Sequence, residues 1–379
     1  MKCSKVLILI IILLIAITEK IEAIENETLI TEQEDSLGIH SLIEDSREYT
    51  NNFFENSELE DILELAIHGK IDNTKLMKNT FKIFGTELKS TITLMGSIVL
   101  IIIVNAILTS ITDELENKSV SKIAYYVQFI LIVTIILGNY SEIINMVKEA
   151  IDNMVGFTNL LIPILITLII TTGNITTATV MQPVIVFMIS LIGNFIKNVA
   201  IPILLVSTVL GIISQISSKV KVDRLAKRLK SSTIWIIGII LTVFVTIVSM
   251  DKTLSTGVDA VTSKTAKAAV SSLVPVVGKI LGDAVDSVIG CSNILKNALG
   301  IVGVIIIIAI SILPIIKLLL LMAVYHITAA ICEPIADEKI IKLLDSLGDT
   351  FKVLLAFLCS VSVMIIIGTT LIIKISSSA

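Results

Sequence analysis

The sequence predicts an all-α polytopic integral membrane protein. About eight transmembrane helices are expected (seven is the other admissible count), with an N-terminal signal peptide and a short acidic extracytoplasmic arm. Three observations predict this class. The 379 residues are 54% hydrophobic and only 16% charged, against about 45–50% and about 25% in soluble domains. Mean hydropathy is +0.95. Apolar runs of about 20 residues with few charges recur from Ile92 to the C-terminal end, the length a helix needs to cross about 30 Å of hydrocarbon. The charges are segregated along the chain, so the net charge of −4 carries little by itself. Together these features exclude a soluble enzyme, a nucleic-acid-binding domain and a disordered scaffold.

Taken in order, the chain opens with Lys2 and Lys5, then the uncharged run Val6–Ile17, then Thr18-Glu19-Lys20 and Ile21-Glu22-Ala23. This is the three-part form of a secretory signal peptide over residues 1–23, with cleavage expected near Ala23. A retained anchor is the alternative; either way the next segment is exported. That arm, residues 24–90, carries fifteen Asp/Glu against six Lys/Arg. Glu25–Asp45 is charged and poor in aromatics, which predicts weak order. Ser57–Ala66 reads as an amphipathic helix with Leu59, Ile62, Leu63 and Ala66 on one face. Ser57 is placed to cap it, with Glu60 three residues on, and Gly69 to end it. The arm reads equally as a small extracytoplasmic cap or as a docking element for a partner.

Eight apolar runs follow: Ile92–Ile111, Ile123–Tyr140, Met154–Thr172, Thr179–Ile196, Val199–Ile216, Thr233–Met250, Ile301–Tyr325 and Phe351–Ile373. The first six fall in residues 91–250 and the last two in 301–379. Residues 217–232 hold Lys219, Lys221, Arg224, Lys227, Arg228 and Lys230 against Asp223 alone. The positive-inside rule puts this cluster in the cytoplasm. An exported arm then requires an odd number of crossings before it. Five satisfy this, and three would also, if the Pro-interrupted stretch 179–216 dips without crossing.

Chemistry-bearing residues are sparse. Pro163 sits in the third run, Thr171-Thr172-Gly173-Asn174 at its end, and Pro183 early in the fourth. Broken helices of this kind line paths in transporters; ordinary kinked packing is the plainer reading. Residues 251–300 read as an extracytoplasmic amphipathic or re-entrant hairpin. Within it, Gly278 and Gly282 form a small-xxx-small pair, and Lys279 and Asp283 are spaced to pair on one helix face with Asp286 three further on. The segment is either a pore-lining or subunit-contact element or a surface helix with a solvated face. Lys317 interrupts the seventh run three residues after Pro314. An intramembrane charge is a functional candidate by default, though a Lys near the interface also snorkels, in which case Leu318–Cys332 would lie at the interface.

There is no phosphate-binding loop, since Ile280 follows Gly278-Lys279, and no HExxH, GxSxG or CxxC pattern. Cys3, Cys291, Cys332 and Cys359 suggest neither a disulfide framework nor a metal site. No enzyme, cofactor or metal is therefore expected, and any energy source is a partner or an ion gradient.

One segment is distinctive: PVVGKILGDAVDSVIGCSNILKNALGIVG over Pro275–Gly303. Tyr325-His326-Ile327-Thr328-Ala329-Ala330 and Cys332-Glu333-Pro334-Ile335-Ala336-Asp337 follow it. With the signal peptide, the acidic arm, Pro163, Thr171-Thr172-Gly173, Pro183 and the basic loop Lys219–Lys230, the chain resembles the stage III sporulation protein AE family of endospore-forming bacteria over roughly 92–379. The resemblance implies a multi-pass protein of the mother-cell membrane around the forespore. It implies a permease-like subunit of a secretion-like channel complex that supports forespore development after engulfment. It implies as partners other proteins of the same sporulation operon, among them a secretion-type ATPase and ring-forming subunits, and a forespore membrane protein across the intermembrane space. No catalytic residue transfers with it. An independent secondary transporter, using broken helices and intramembrane charges, is the other functional expectation.

Overall fold

The computed structural model describes residues 27–50, 53–54, 58–69, 73–114, 118–172, 175–216, 222–254 and 277–375. The signal peptide and the first part of the basic loop, 217–221, lie outside them; the rest of that loop is described and is helical from Asp223 on. Among the described residues every regular element is a helix. In chain order these are α1 (Glu27–Ser36), α2 (Ile39–Tyr49), α3 (Glu58–Ile67), α4 (Asn73–Glu114), α5 (Lys118–Thr171) and α6 (Ile175–Phe195). After a π-helical turn at Ile196–Ala200 come α7 (Ile201–Ile216), α8 (Asp223–Leu254), α9 (Val277–Cys332) and α10 (Glu338–Ile375).

Six helical stretches are long and apolar enough to span a bilayer: Met77–Ile107, Tyr126–Thr171, Gln182–Gln215, Asp223–Ile247, Ser287–Cys332 and Glu338–Ile373. The multi-pass helical class holds, and the runs group differently from the sequence count. Runs two and three share α5, whose 54 residues make a rod about 80 Å long at 1.5 Å per residue. Only part of such a rod fits in the hydrocarbon. The charged stretch between the two runs does not end the helix because it is itself amphipathic. Ile143, Ile144, Val147, Ala150 and Ile151 are buried while Glu142, Asn145, Glu149 and Asp152 face out. Runs four and five likewise form one rod through the π-turn, antiparallel to α5. Lys197 Nζ lies 2.6 Å from Asp152 Oδ1, and the Tyr140 hydroxyl 3.4 Å from that of Thr208.

The helices are not broken at their prolines. Pro163, Pro183 and Pro314 sit inside α5, α6 and α9. Each removes one ladder donor, which an otherwise intact helix tolerates. Of the hairpin expected in 251–300, residues 255–276 lie outside the described set, and 277–300 run without a turn into the apolar part of α9. The interfacial Leu318–Cys332 helix is likewise the straight continuation of α9. The short stop Glu333–Asp337 follows, where Asp337 Oδ1 accepts the Lys339 amide at 2.9 Å and caps α10.

α9 is the central helix. Its apolar window is 78% buried, against 17% for those of α4 and α8, and it packs most closely on α10, then α5 and α4. The outer helices turn large apolar side chains outward, such as Leu100 and Ile107 on α4 and Trp235 and Val243 on α8. Those faces match a hydrocarbon solvent.

The arm is more ordered than its composition suggests. The described residues of 27–67 form three helices seated on the bundle. α2 buries Ile39, Leu42, Ile43 and Ser46 at helical spacing. α3 buries Leu59, Leu63, Ala66 and Ile67. Gly38, at φ 65°, makes the left-handed corner between α1 and α2. The Arg47–Glu60 ion pair at 2.8 Å ties α2 to α3. Charge on one face had hidden an apolar stripe on the other.

Candidate functional site

Three polar features interrupt this apolar bundle. The first is a cleft of about 400 Å³ between α4, α5 and α9. Its polar lining includes Glu87, Ser90, Thr93 and Ser97 from α4, Glu142 from α5 and Lys317 from α9, with Tyr325 at one edge. α4 is the first long helix after the arm and α9 the buried centre, so the cleft joins a peripheral wall to the core. Lys317 Nζ lies 3.3 Å from Glu142 Oε1. The lysine side chain is 23% exposed and the glutamate 72%. A charge within an apolar helix needs such compensation, and Glu142 is the first carboxylate after the run 123–140.

The second feature is a buried polar chain linking four helices. Lys230 Nζ donates to Thr350 Oγ1 at 3.2 Å and approaches the Ser346 carbonyl at 3.5 Å. The Thr350 and Thr208 hydroxyls are 3.2 Å apart, and the Tyr140 hydroxyl reaches Thr208. Phe351 packs against both Tyr140 and Tyr325, with ring centroids 6.0 and 5.3 Å apart. Ser207 adds a bond to the Ala226 carbonyl at 2.7 Å. Nearby, His326 Nδ1 lies 3.0 Å from Asp345 Oδ1. Gly348 leaves room for that ring, because a Cβ there would stand 2.8 Å from Nε2.

The third is the seat of the arm. Gln33 Nε2 donates to the Val288 carbonyl at 3.4 Å, and the Ser292 hydroxyl to Gln33 Oε1 at 3.4 Å. Asn153 Nδ2 donates to the Tyr49 carbonyl at 3.4 Å, and the Tyr49 ring packs on Phe157. Gly156 makes this approach possible: a Cβ there would lie 3.0 Å from the Tyr49 ring. Burial raises the Glu34 carboxyl above its ordinary range, against the opposing pull of His40. One turn beyond Ser292, Lys296 is only 1% exposed, with the Asn293 amide oxygen at 3.4 Å as its polar partner.

Of the residues singled out from sequence, Lys317 enters a built site. Pro163 and Pro183 face outward and are not drawn into it. Gly278, Lys279, Gly282, Asp283 and Asp286 occupy the first turns of α9, and the placement of their side chains lies outside the described residues. Glu142, Thr350 and Lys296 were not singled out, and Lys230 was read only as one of the loop cations. Only the intramembrane position of Lys296, between apolar Leu295 and Ala298, could have flagged it.

A buried central helix, five further long apolar helices around it, outward apolar faces and a few buried polar contacts define a polytopic α-helical membrane protein. The chain belongs to the stage III sporulation protein AE family, whose family model matches residues 57–376. It is 32% identical over 297 residues to the Stage III sporulation protein AE of Bacillus subtilis (strain 168), covering 78% of this chain and 74% of that protein. It is thus a sporulation-related membrane protein. No solved structure matches it.

Proposed function

We propose that this chain is the permease-like, non-enzymatic membrane subunit of a channel complex joining mother cell and forespore. In this reading it sits in the mother-cell membrane around the forespore, with its acidic arm in the intermembrane space. Its partners are other products of the same operon, including a secretion-type ATPase that supplies energy, ring-forming subunits, and a forespore membrane protein.

One observation carries the reading. The first helix of the arm and the basic start of α8 meet α9 at well-separated levels. Gln33 of the arm meets Val288 and Ser292. The Lys230 partner Thr350 precedes Phe351, which packs on Tyr325. From Ser292 to Tyr325 the helix rises about 50 Å at 1.5 Å per residue, enough for a whole bilayer of about 40–45 Å with its headgroups. Basic residues favour the cytoplasmic side, which leaves the arm outside. Three rods, α4, α5 and α6–α7, precede the basic segment, and three is odd, as an exported arm requires.

Deleting the gene in the sporulating host tests the proposal. Development should stop after engulfment, and the tagged protein should co-purify with its operon partners. Sporulation at wild-type frequency contradicts it. The independent-transporter reading is favoured instead if the purified protein alone drives gradient-dependent uptake into liposomes. The intramembrane charge Lys317 is the observation behind that alternative.

A further inference from the structure

The walls of the cleft between α4, α5 and α9 differ in kind. On α4, the hydroxyls of Thr91, Thr93 and Ser97 each donate to a carbonyl of their own helix, at 2.7, 3.0 and 3.1 Å. Their hydrogens are committed, so they offer only lone pairs. Glu87, one turn before Thr91, adds a carboxylate with no ion pair among the described residues. Ser90 adds a hydroxyl that can also donate, so the α4 wall is rich in acceptors and carries one carboxylate. Opposite stands Lys317, a donor with a fixed positive charge. Its partner Glu142 is largely exposed and meets it at 3.3 Å through one carboxylate oxygen, so another carboxylate set against Lys317 replaces it charge for charge. The apolar part of the lining is Leu94, Ile135, Ile143 and Leu321, with Tyr325 at one edge. The volume, about 400 Å³, lies within the range of small-molecule pockets.

We propose that this cleft binds a small zwitterion. Its ammonium is held by Glu87 and the hydroxyl lone pairs of α4, and its carboxylate by Lys317 in exchange for Glu142. An amine alone leaves Lys317 on Glu142 and gains one wall only. A carboxylate alone meets Lys317 but faces a wall rich in acceptors. An α-amino acid with an apolar side chain supplies both charges and fills the apolar remainder. The proposal is independent of the channel reading.

Calorimetric titration of the full chain in nanodiscs tests it, with leucine, 3-methylbutylamine and 4-methylpentanoate as probes. Leucine should bind saturably, and each single-charge analogue at least tenfold more weakly. Glu87→Gln and Lys317→Met should each weaken leucine at least tenfold. Glu142→Gln, which removes the competing carboxylate, should tighten leucine binding, and Glu44→Gln, on the exposed face of α2 away from the cleft, should leave it unchanged and serves as the folded control. No saturable leucine binding overturns the proposal. So does an amine that binds as well as leucine, which would make this a cation site. Undiminished leucine binding in Lys317→Met would do the same.

Discussion

Gly156 decides whether the arm stays seated. A Cβ at this position would already lie 3.0 Å from Tyr49 Cε1 and 3.4 Å from Cζ and Oη, so the branched side chain of Gly156→Val cannot share the site with the ring. Tyr49 must leave Phe157, now at a centroid distance of 6.5 Å and a tilt of 59°, and the Asn153 bond to its carbonyl is strained. Overpacking costs about 1–3 kcal/mol and a lost aromatic pair about 0.5–1.5 kcal/mol. The gain in helix propensity on losing a glycine belongs to α5 whether the arm is docked or free, and cancels. Docking should weaken by about 2 kcal/mol, on the order of 30-fold in the docked-to-free ratio. Hydrogen exchange on the purified protein reads this directly. Amides of Ile39–Ser46 should exchange on the order of 30-fold faster by the same conversion, with those of α10 unchanged. In a Tyr49→Ala background Gly156→Val should add little, since the two act through one contact. Unchanged exchange in α2, or an equal rise across α9 and α10, refutes the latch.

Two further perturbations probe the other polar features. Glu34 is 8% exposed and its carboxyl is raised mainly by burial, so the folded arm holds that proton more tightly than the unfolded chain. Its contribution to docking is fully present below the ordinary carboxylate pKa and is lost as pH rises through the raised value. Arm protection should fall over that window, and Glu34→Gln should flatten the profile; identical profiles count against the burial. Thr350→Val removes the hydroxyl that meets Lys230 while keeping the shape, and should cost about 1–3 kcal/mol. The thermal midpoint in detergent should drop, with Lys230→Met restoring most of the loss. An unchanged midpoint in Thr350→Val means the buried chain is not holding α8 to α10.

The membrane class was legible because twenty-residue apolar runs have no cheaper explanation. The number of rods was not, since a hydropathy window stops at charges while the backbone does not: Glu142, Lys148, Glu149 and Asp152 ride on one side of a helix whose other side is Ile143, Val147 and Ile151. The arm misled for the same reason, its carboxylates masking Ile39, Leu42 and Ile43. Lys317 stood out as a charge within an apolar run, but its partner lies 175 residues earlier, and nothing local announces a contact of that range. Lys230 read as one of six loop cations; only the approach of α10 gives it a buried acceptor.

The account rests on the arm and the basic end of α8 lying on opposite sides of one bilayer. Cysteine accessibility in intact cells tests this most directly. Cys291, Cys332 and Cys359 are buried, so with Cys3 replaced the background is quiet. Glu44→Cys and Leu225→Cys place single thiols at exposed positions of α2 and α8. In vegetative cells made to express the chain, whose membrane faces the medium, an impermeant maleimide should label position 44 from outside, and position 225 only after the membrane is permeabilised. Labelling of position 225 from outside, with position 44 protected, would invert the molecule and contradict the proposed role.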